Sequence, residues 1–517
     1  METRNTLHRR DLFRGAAGGF LSSVARAQSE ASVVIDPRPQ FEISPWLYMQ
    51  FMEPLGATDA SVEASWDYDR DDWRPDFVNA VRALAPGAIR FGGLFSRHYK
   101  WREGVGAIGK RPVIRNYFWG GKEDNRVGTH EFVDFCRRVG AEPFYCVNFA
   151  SDGEKRFLTT SEGNRTADAE EAADWVSYSN DPDNKERKRN GASQPYNLKL
   201  WQLGNETSYN GSRTFTRDQA IAATIDFATA MRRRDPSLKL IAWGDRAPGG
   251  ELWAGELLRR AGEHIDMVAM HMMGQSPKRR DTILKGVLYE QDPERAWEEL
   301  KELANTVEAR ISEMESVVSA HSSTAGIAVT EGHLSLSPHN TNPILYEWLS
   351  AAYHARSMNI YQRHGGRVRI STAADFNGTR WTNMAVMLPV PRGASYLMPV
   401  ASIAKLFRQH NGTHGVQVRS APLSLDIAAS RTGDTIYLHV ANLEYSRPVE
   451  ATFSVSEMRI GGGRVYEIAP QTPRVRVSED QPDVFSPREM PLSAEPVVKW
   501  RFPAASVSVV ELNIGRA

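Results

Sequence analysis

The stretch Leu198-Lys199-Leu200-Trp201-Gln202-Leu203-Gly204-Asn205-Glu206 reads as a buried strand that delivers polar side chains at its carboxyl end. Its near-continuous apolar character suits a strand covered on both faces, as in a parallel sheet. The segment that follows, 218–231, spaces its apolar residues at three and four, the period of a helix. The same pair recurs on both sides. Upstream lie the strand-like runs 47–52, 88–91 and 143–148; downstream lie 238–243, 267–270, 326–329 and 368–371. Helical patterns at 76–84, 131–139, 296–317 and 346–361 fall between them. Eight such units over about 360 residues predict an α/β fold, a (β/α)8 TIM barrel spanning 42–410.

Beyond this barrel the pattern changes. A last helix over 400–409 stops at Asn411-Gly412, and short β-rich runs follow, among them 416–418, 436–440, 451–455 and 506–510. They are broken by turn residues such as Thr432-Gly433-Asp434, so 411–517 reads as a C-terminal antiparallel β-sandwich. A strand within 28–41, Ser32-Val33-Val34-Ile35, is expected to join it. Residues 1–27 read as a Tat signal peptide. Arg9-Arg10-Asp11-Leu12-Phe13-Arg14 precedes a short, glycine-rich, mildly apolar stretch, and Ala25-Arg26-Ala27 offers a small-x-small cleavage site. A periplasmic or secreted location is the expectation that follows.

Composition narrows the function. The 517 residues carry 63 Lys+Arg against 63 Asp+Glu, so bulk charge recruits no polyanion, and no nucleic-acid partner is expected. The basic run Lys185–Arg189 sits among polar residues and reads as a solvated loop. There is no apolar run of about 18 residues to span a membrane as a helix, and no membrane partner is expected. Cys136 and Cys146 cannot make a disulfide scaffold or a four-sulfur zinc site. Gly104-Val105-Gly106-Ala107-Ile108-Gly109 spells a dinucleotide loop, but neither a clear strand precedes it nor a helix follows. No metal and no cofactor are expected. A homo-oligomer is left open.

In a barrel the working face is the carboxyl end of the strands. Strand four ends at Asn205-Glu206 and strand seven at Thr330-Glu331, so two carboxylates face each other across the mouth. Paired carboxylates there suit glycoside hydrolysis, one as acid and base, the other as nucleophile. Arg90 at the end of strand two is placed to hold a carboxylate ionised. Glu53, Asn148 and His271 end strands one, three and six and point to the same mouth. Trp101, Trp119 and Tyr209 are candidates to pack on sugar faces.

Trp201-Gln202-Leu203-Gly204-Asn205-Glu206 resembles the Gly-Asn-Glu motif of clan A retaining glycosidases. An ordered set of further segments is similar to family 51 α-L-arabinofuranosidases: Phe51-Met52-Glu53-Pro54-Leu55-Gly56, Ile89-Arg90-Phe91-Gly92-Gly93, 99–106, 128–132 and 171–178. The resemblance implies Glu206 as acid/base and Glu331 as nucleophile, in a double displacement that needs no cofactor. It implies Asn205 on the sugar's 2-hydroxyl and Glu53, Arg90 and His271 lining the sugar subsite. The substrate it implies is an oligo- or polysaccharide with terminal arabinofuranosyl or related sugars. Glu206 is expected to be kept protonated in part by the charge of Glu331.

Four departures stand against that pattern. Phe91 runs directly into Gly92 without the family's proline, and Leu94 replaces a polar residue of the same loop. Met273 stands where the family has a tyrosine supporting the nucleophile, and Gly332-His333 follows Glu331 where the family has tryptophan. Asp375 is a candidate for a family glutamine near strand eight. The departures keep two other readings open: an endo-acting glucanase or xylanase on the same scaffold, and a non-catalytic carbohydrate-binding protein.

Overall fold

The computed structural model describes residues 32–56, 61–390, 393–494 and 497–516. The expected signal peptide, 1–27, lies outside them. Eight strands, Met49–Met52, Ala88–Phe91, Glu142–Cys146, Leu200–Leu203, Lys239–Trp243, Met267–Gln275, Gly326–Ser335 and Val368–Ile370, pair in that order, all parallel. A parallel bridge between Tyr48 and Ser371 closes the ring. There the Met49 amide donates to the Ser371 carbonyl at 2.9 Å and the Ser371 amide to Leu47 at 3.0 Å.

Each strand is followed by a helix on the outside: Pro75–Leu84, Thr129–Val139, Ala169–Asn180, Arg217–Arg234, Ala254–Ala261, Pro293–His321, Ala351–Arg363 and Pro399–Gln409. Local sequence sets their ends. Thr216 and Gln219 form a capping box at the start of the fourth, and Arg232–Arg234 face the negative end of its dipole. Pro75, Pro293 and Pro399 open three others, where a missing N–H is harmless.

Alternation along the strands decides what faces the lumen. Met49, Ala88, Phe144, Leu200, Ile241, Ala269, Ala328 and Ile370 pack together inside, while Ile327 and Val329 turn out to the helices. Strands six and seven run past their sequence-expected ends, at Met270 and Val329, to Gln275 and Ser335. Their ladder slips once: Met270 pairs with Val329, but His271 pairs with Glu331. Thr330 is therefore a bulge residue. Without it, strict alternation would put Glu331 on the outer face with Val329.

The helix expected over 346–361 starts at Ala351, because two 3-10 turns, Pro343–Tyr346 and Trp348–Ser350, precede it. Trp348 is tied there to the second domain, its indole N–H donating to the Ala505 carbonyl at 2.8 Å.

That domain is one nine-stranded sheet folded over its own core, antiparallel apart from a single pair. Val33, Ile35, Ile436, Leu438, Phe453, Val510 and Leu512 fill it. Strand Ser32–Glu42 lies inside this sheet, antiparallel to His414–Ser420 and parallel to Val449–Val455. The parallel pairing arises because this strand enters from the far end of the chain rather than through a hairpin.

Candidate active site

Strand four ends in a turn that only glycine can begin. Gly204 has a φ of 81°, and a Cβ there would lie 2.6 Å from the Thr207 hydroxyl. The turn leaves Glu206 itself at a φ of 53°, a left-handed conformation rare for a residue with a side chain. Such strain, of about 1–3 kcal/mol, persists only where the surroundings enforce it. Here the enforcer is Arg97, fully buried, whose guanidinium donates to the carbonyls of Asn205 at 2.7 Å and Glu206 at 3.2 Å. Arg97 is in turn paired with Asp152 at 3.0 Å and, more closely, with Glu154. Asp152 also accepts from the Asn205 amide at 3.2 Å and the Thr207 hydroxyl at 2.5 Å. It belongs to three consecutive left-handed residues, Ala150, Ser151 and Asp152. Arg97 and Asp152 were not legible as site residues, because neither ends a strand and no short motif contains them.

Around this frame the reacting groups converge. Arg90 donates to a Glu331 oxygen at 2.9 Å and to the Asn205 side-chain carbonyl at 2.6 Å. Nδ1 of His271 lies 3.1 Å from one Glu206 oxygen and 3.6 Å from one Glu331 oxygen. One oxygen of each glutamate and a ring nitrogen of His271 all lie within 4.8 Å of one another. That trio is within the reach of one metal ion, but the Arg90 guanidinium already balances the charge of Glu331. The Asn205 amide nitrogen and the second nitrogen of His271 are buried with no hydrogen-bond partner among the described residues, unmet hydrogen-bonding capacity beside the two glutamates.

The cleft above them, of about 210 Å³, is lined by Glu206, Glu331 and Glu53 together with Leu94, Trp119, Met273, His333, Asp375 and Trp381. Glu53 accepts from the Phe95 amide at 2.6 Å and the Trp119 indole at 3.2 Å. Trp119 and Trp381 meet edge to face at 5.9 Å on the rim.

Three sequence expectations are corrected. Asn148 does not line the cleft: its amide donates to the carbonyls of Tyr99 and Arg165, and its oxygen accepts from Ser151, so it holds the adjoining loop. Trp101 is buried and stacked on Trp175, with its indole N–H on the Glu171 carbonyl. Tyr209 stands edge-on to Trp243 and His271, and its hydroxyl is committed to Asp245 at 2.7 Å. The departure at Gly332 has a local cause, since a Cβ there would lie 2.4 Å from the Thr372 carbonyl and leaves no room for tryptophan.

Electrostatics separates the carboxyls. Burial, then the charge of Glu331, pushes Glu53 up to about 8, so it is a neutral acid at pH 7. Burial also pushes Glu206 up, but its hydrogen bond to His271, the charge of that ring and the guanidiniums of Arg97 and Arg90 outweigh it. Glu206 is thus held below the ordinary carboxylate range, contrary to the expectation that Glu331 keeps it protonated.

Residues 80–290 match the family described as the Alpha-L-arabinofuranosidase 1 domain. Among curated proteins, a probable alpha-L-arabinofuranosidase C of Aspergillus flavus is 32% identical over 230 residues, 42% of this chain and 42% of the relative. An intracellular exo-alpha-(1->5)-L-arabinofuranosidase of Acetivibrio thermocellus is 30% identical over 44% of this chain and 45% of the relative. The chain thus spans less than half the length of the curated relatives it matches. Among solved structures, the GH51 arabinofuranosidase from Xanthomonas axonopodis pv. citri superposes with a TM-score of 0.77. It covers 93% of this chain and 99% of the other at 21% identity. Over residues 80–290 the sequence is thus similar to α-L-arabinofuranosidases, and along nearly its whole length the chain shares its fold with solved family 51 arabinofuranosidases.

Proposed function

We propose that the protein is a retaining glycoside hydrolase that releases terminal arabinofuranosyl or closely related sugars by double displacement. One observation carries the reading: oxygens of Glu206 and Glu331 lie within 4.8 Å of each other. Retaining enzymes hold their carboxyls about 5–5.5 Å apart, whereas inversion needs about 6.5–9.5 Å to admit a water. Glu331, ion-paired to Arg90, attacks the anomeric carbon as Glu206 gives its proton to the departing oxygen. Glu206 then takes a proton from the incoming water, and the sugar leaves with its configuration kept. A bound sugar strips remaining water from Glu206, and burial, the largest influence on it, then works toward the protonated form that the first step needs. Asn205 and the neutral acid of Glu53 are suited to the sugar's hydroxyls.

A panel of aryl glycosides, with the anomer of the first product read by NMR, tests this. Retained L-arabinofuranose is the expected product; an inverted product would overturn the mechanism. Glu206→Ala should regain activity with azide on substrates with good leaving groups, while Glu331→Ala should give no retained product. Equal residual activity in both variants would overturn the roles.

We also propose export through the Tat route, supported by the Arg9-Arg10 pattern. Cell fractionation of the wild type and of Arg9→Lys/Arg10→Lys tests it. Protein that stays cytoplasmic in both would refute export.

A further inference from the structure

The Thr330 bulge turns not only Glu331 but also the residue two positions on, His333, into the cleft. His333 pairs in register with Met273, where the sequence has given up a hydrogen-bond donor. Nδ1 of His333 lies 2.8 Å from an Asp375 oxygen. The other Asp375 oxygen accepts from the Asn383 amide at 2.9 Å, and that amide also reaches the Asn340 oxygen at 3.1 Å. One carboxylate oxygen is therefore held by Asn383, and the other lies against the ring as a close charge contact. His333 lines the same cleft as Leu94, Met273 and Phe376, and with Nδ1 turned to Asp375, Nε2 is the ring nitrogen that Asp375 does not engage. Burial disfavours charge on His333, but the negative Asp375 outweighs it, with Glu331 and Glu206 adding to the effect. That shift favours the form of the ring with a proton on each nitrogen, one toward Asp375 and one at Nε2.

We propose that His333, oriented by Asp375, is a substrate-binding residue whose Nε2–H donates to a hydroxyl of the sugar beside Glu331. A neutral hydroxyl fits better than a sugar carboxylate, because Asp375, Glu206 and Glu331 surround the ring with negative charge. This assignment rests on the hydrolase reading above.

The test uses the full chain and the aryl glycoside of the panel that the wild type turns over fastest, with its monodeoxy analogues. His333→Ala should lower kcat/KM on the parent sugar by about 10- to 100-fold, the range for one hydrogen bond to a charged group. On the analogue lacking the hydroxyl that His333 reads, wild type and variant should be equal. Asp375→Asn should show a smaller loss with the same dependence on that hydroxyl, and His333→Gln, which keeps a neutral donor, should recover part of it. A loss of equal size on every analogue would mark a merely structural role, and no loss on the parent would also overturn the assignment. Wild type inactive on every glycoside would defeat the hydrolase reading and this assignment together; an active wild type with undiminished His333→Ala would defeat this assignment alone.

Discussion

His271 stands between the two glutamates, and its hydrogen bond is the first of the influences that pull Glu206 down against burial. Replacing it by asparagine removes a charge-capable ring, so Glu206 rises and stays protonated to higher pH. In a kcat/KM profile the alkaline limb of His271→Asn should move up relative to the wild type; an unmoved limb would show that another group sets it. Glu53, neutral at pH 7, offers a contrasting case. Its Oε1 accepts from the Phe95 amide and the Trp119 indole, which an amide oxygen can do as well. Glu53→Gln should therefore keep most activity at pH 6, whereas Glu53→Ala should lose about 10- to 100-fold in kcat/KM. Single residues at strand ends were the most legible part of the sequence. Arg90, Asn205, Glu206, His271 and Glu331 each follow directly from an apolar run, and the structure brings them together. Asn148 satisfied the same rule and turned away, because backbone groups of Ser151 and Arg165 in its own loop and of Tyr99 in the loop after strand two claimed it first.

Loops carry what strand-end reasoning missed. Arg97 holds the carbonyls of Asn205 and Glu206 from a turn between strand two and its helix, with Asp152 contributed from the loop after strand three. Such contacts join residues 55 and 109 positions apart and leave no periodic trace. Arg97→Met would strand two buried carboxylates, and the loss should be about 3–5 kcal/mol, seen as a lowered melting temperature together with lost activity. A variant as stable as the wild type would mean that water replaces the guanidinium. The rim obeys a second loop device. Asn116 accepts the amides of Phe118 and Trp119 at 3.0 and 2.9 Å and donates to Glu123 at 2.7 Å. Glu123 is hydrogen-bonded to Glu63, which accepts from the amides of Leu55 and Gly56. Burial raises both carboxyls, so the folded protein keeps a proton there that the unfolded chain would release. That stability is present in acid and is lost as pH rises through the folded values. Thermal scans should show melting falling on the alkaline side, and Glu123→Gln should flatten the fall; parallel curves would assign the loss elsewhere.

Across the whole molecule the two domains are bolted together by side chains that the barrel pattern could not assign. The indoles of Trp297 and Trp348 donate to the carbonyls of Leu443 and Ala505, each at 2.8 Å. Asp426 gathers Arg356, Arg363 and Asn359 from the seventh helix. Calorimetry should therefore show one transition, and Asp426→Ala, which takes the carboxylate from Arg356 and leaves Arg363 with Glu308 alone, should lower it or split it in two. A second, earlier transition already present in the wild type would refute the coupling. Barrel and sandwich were legible from the switch in period near residue 410, but their docking was not, since it depends on isolated residues in otherwise ordinary helices. The strand Ser32–Glu42 has a consequence of another kind. Its neighbours, His414–Ser420 and Val449–Val455, pair with residues 372 to 420 positions earlier in the chain. During synthesis it must wait, unmatched, until nearly all of the polypeptide has left the ribosome, so the protein cannot be finished piecemeal from front to back.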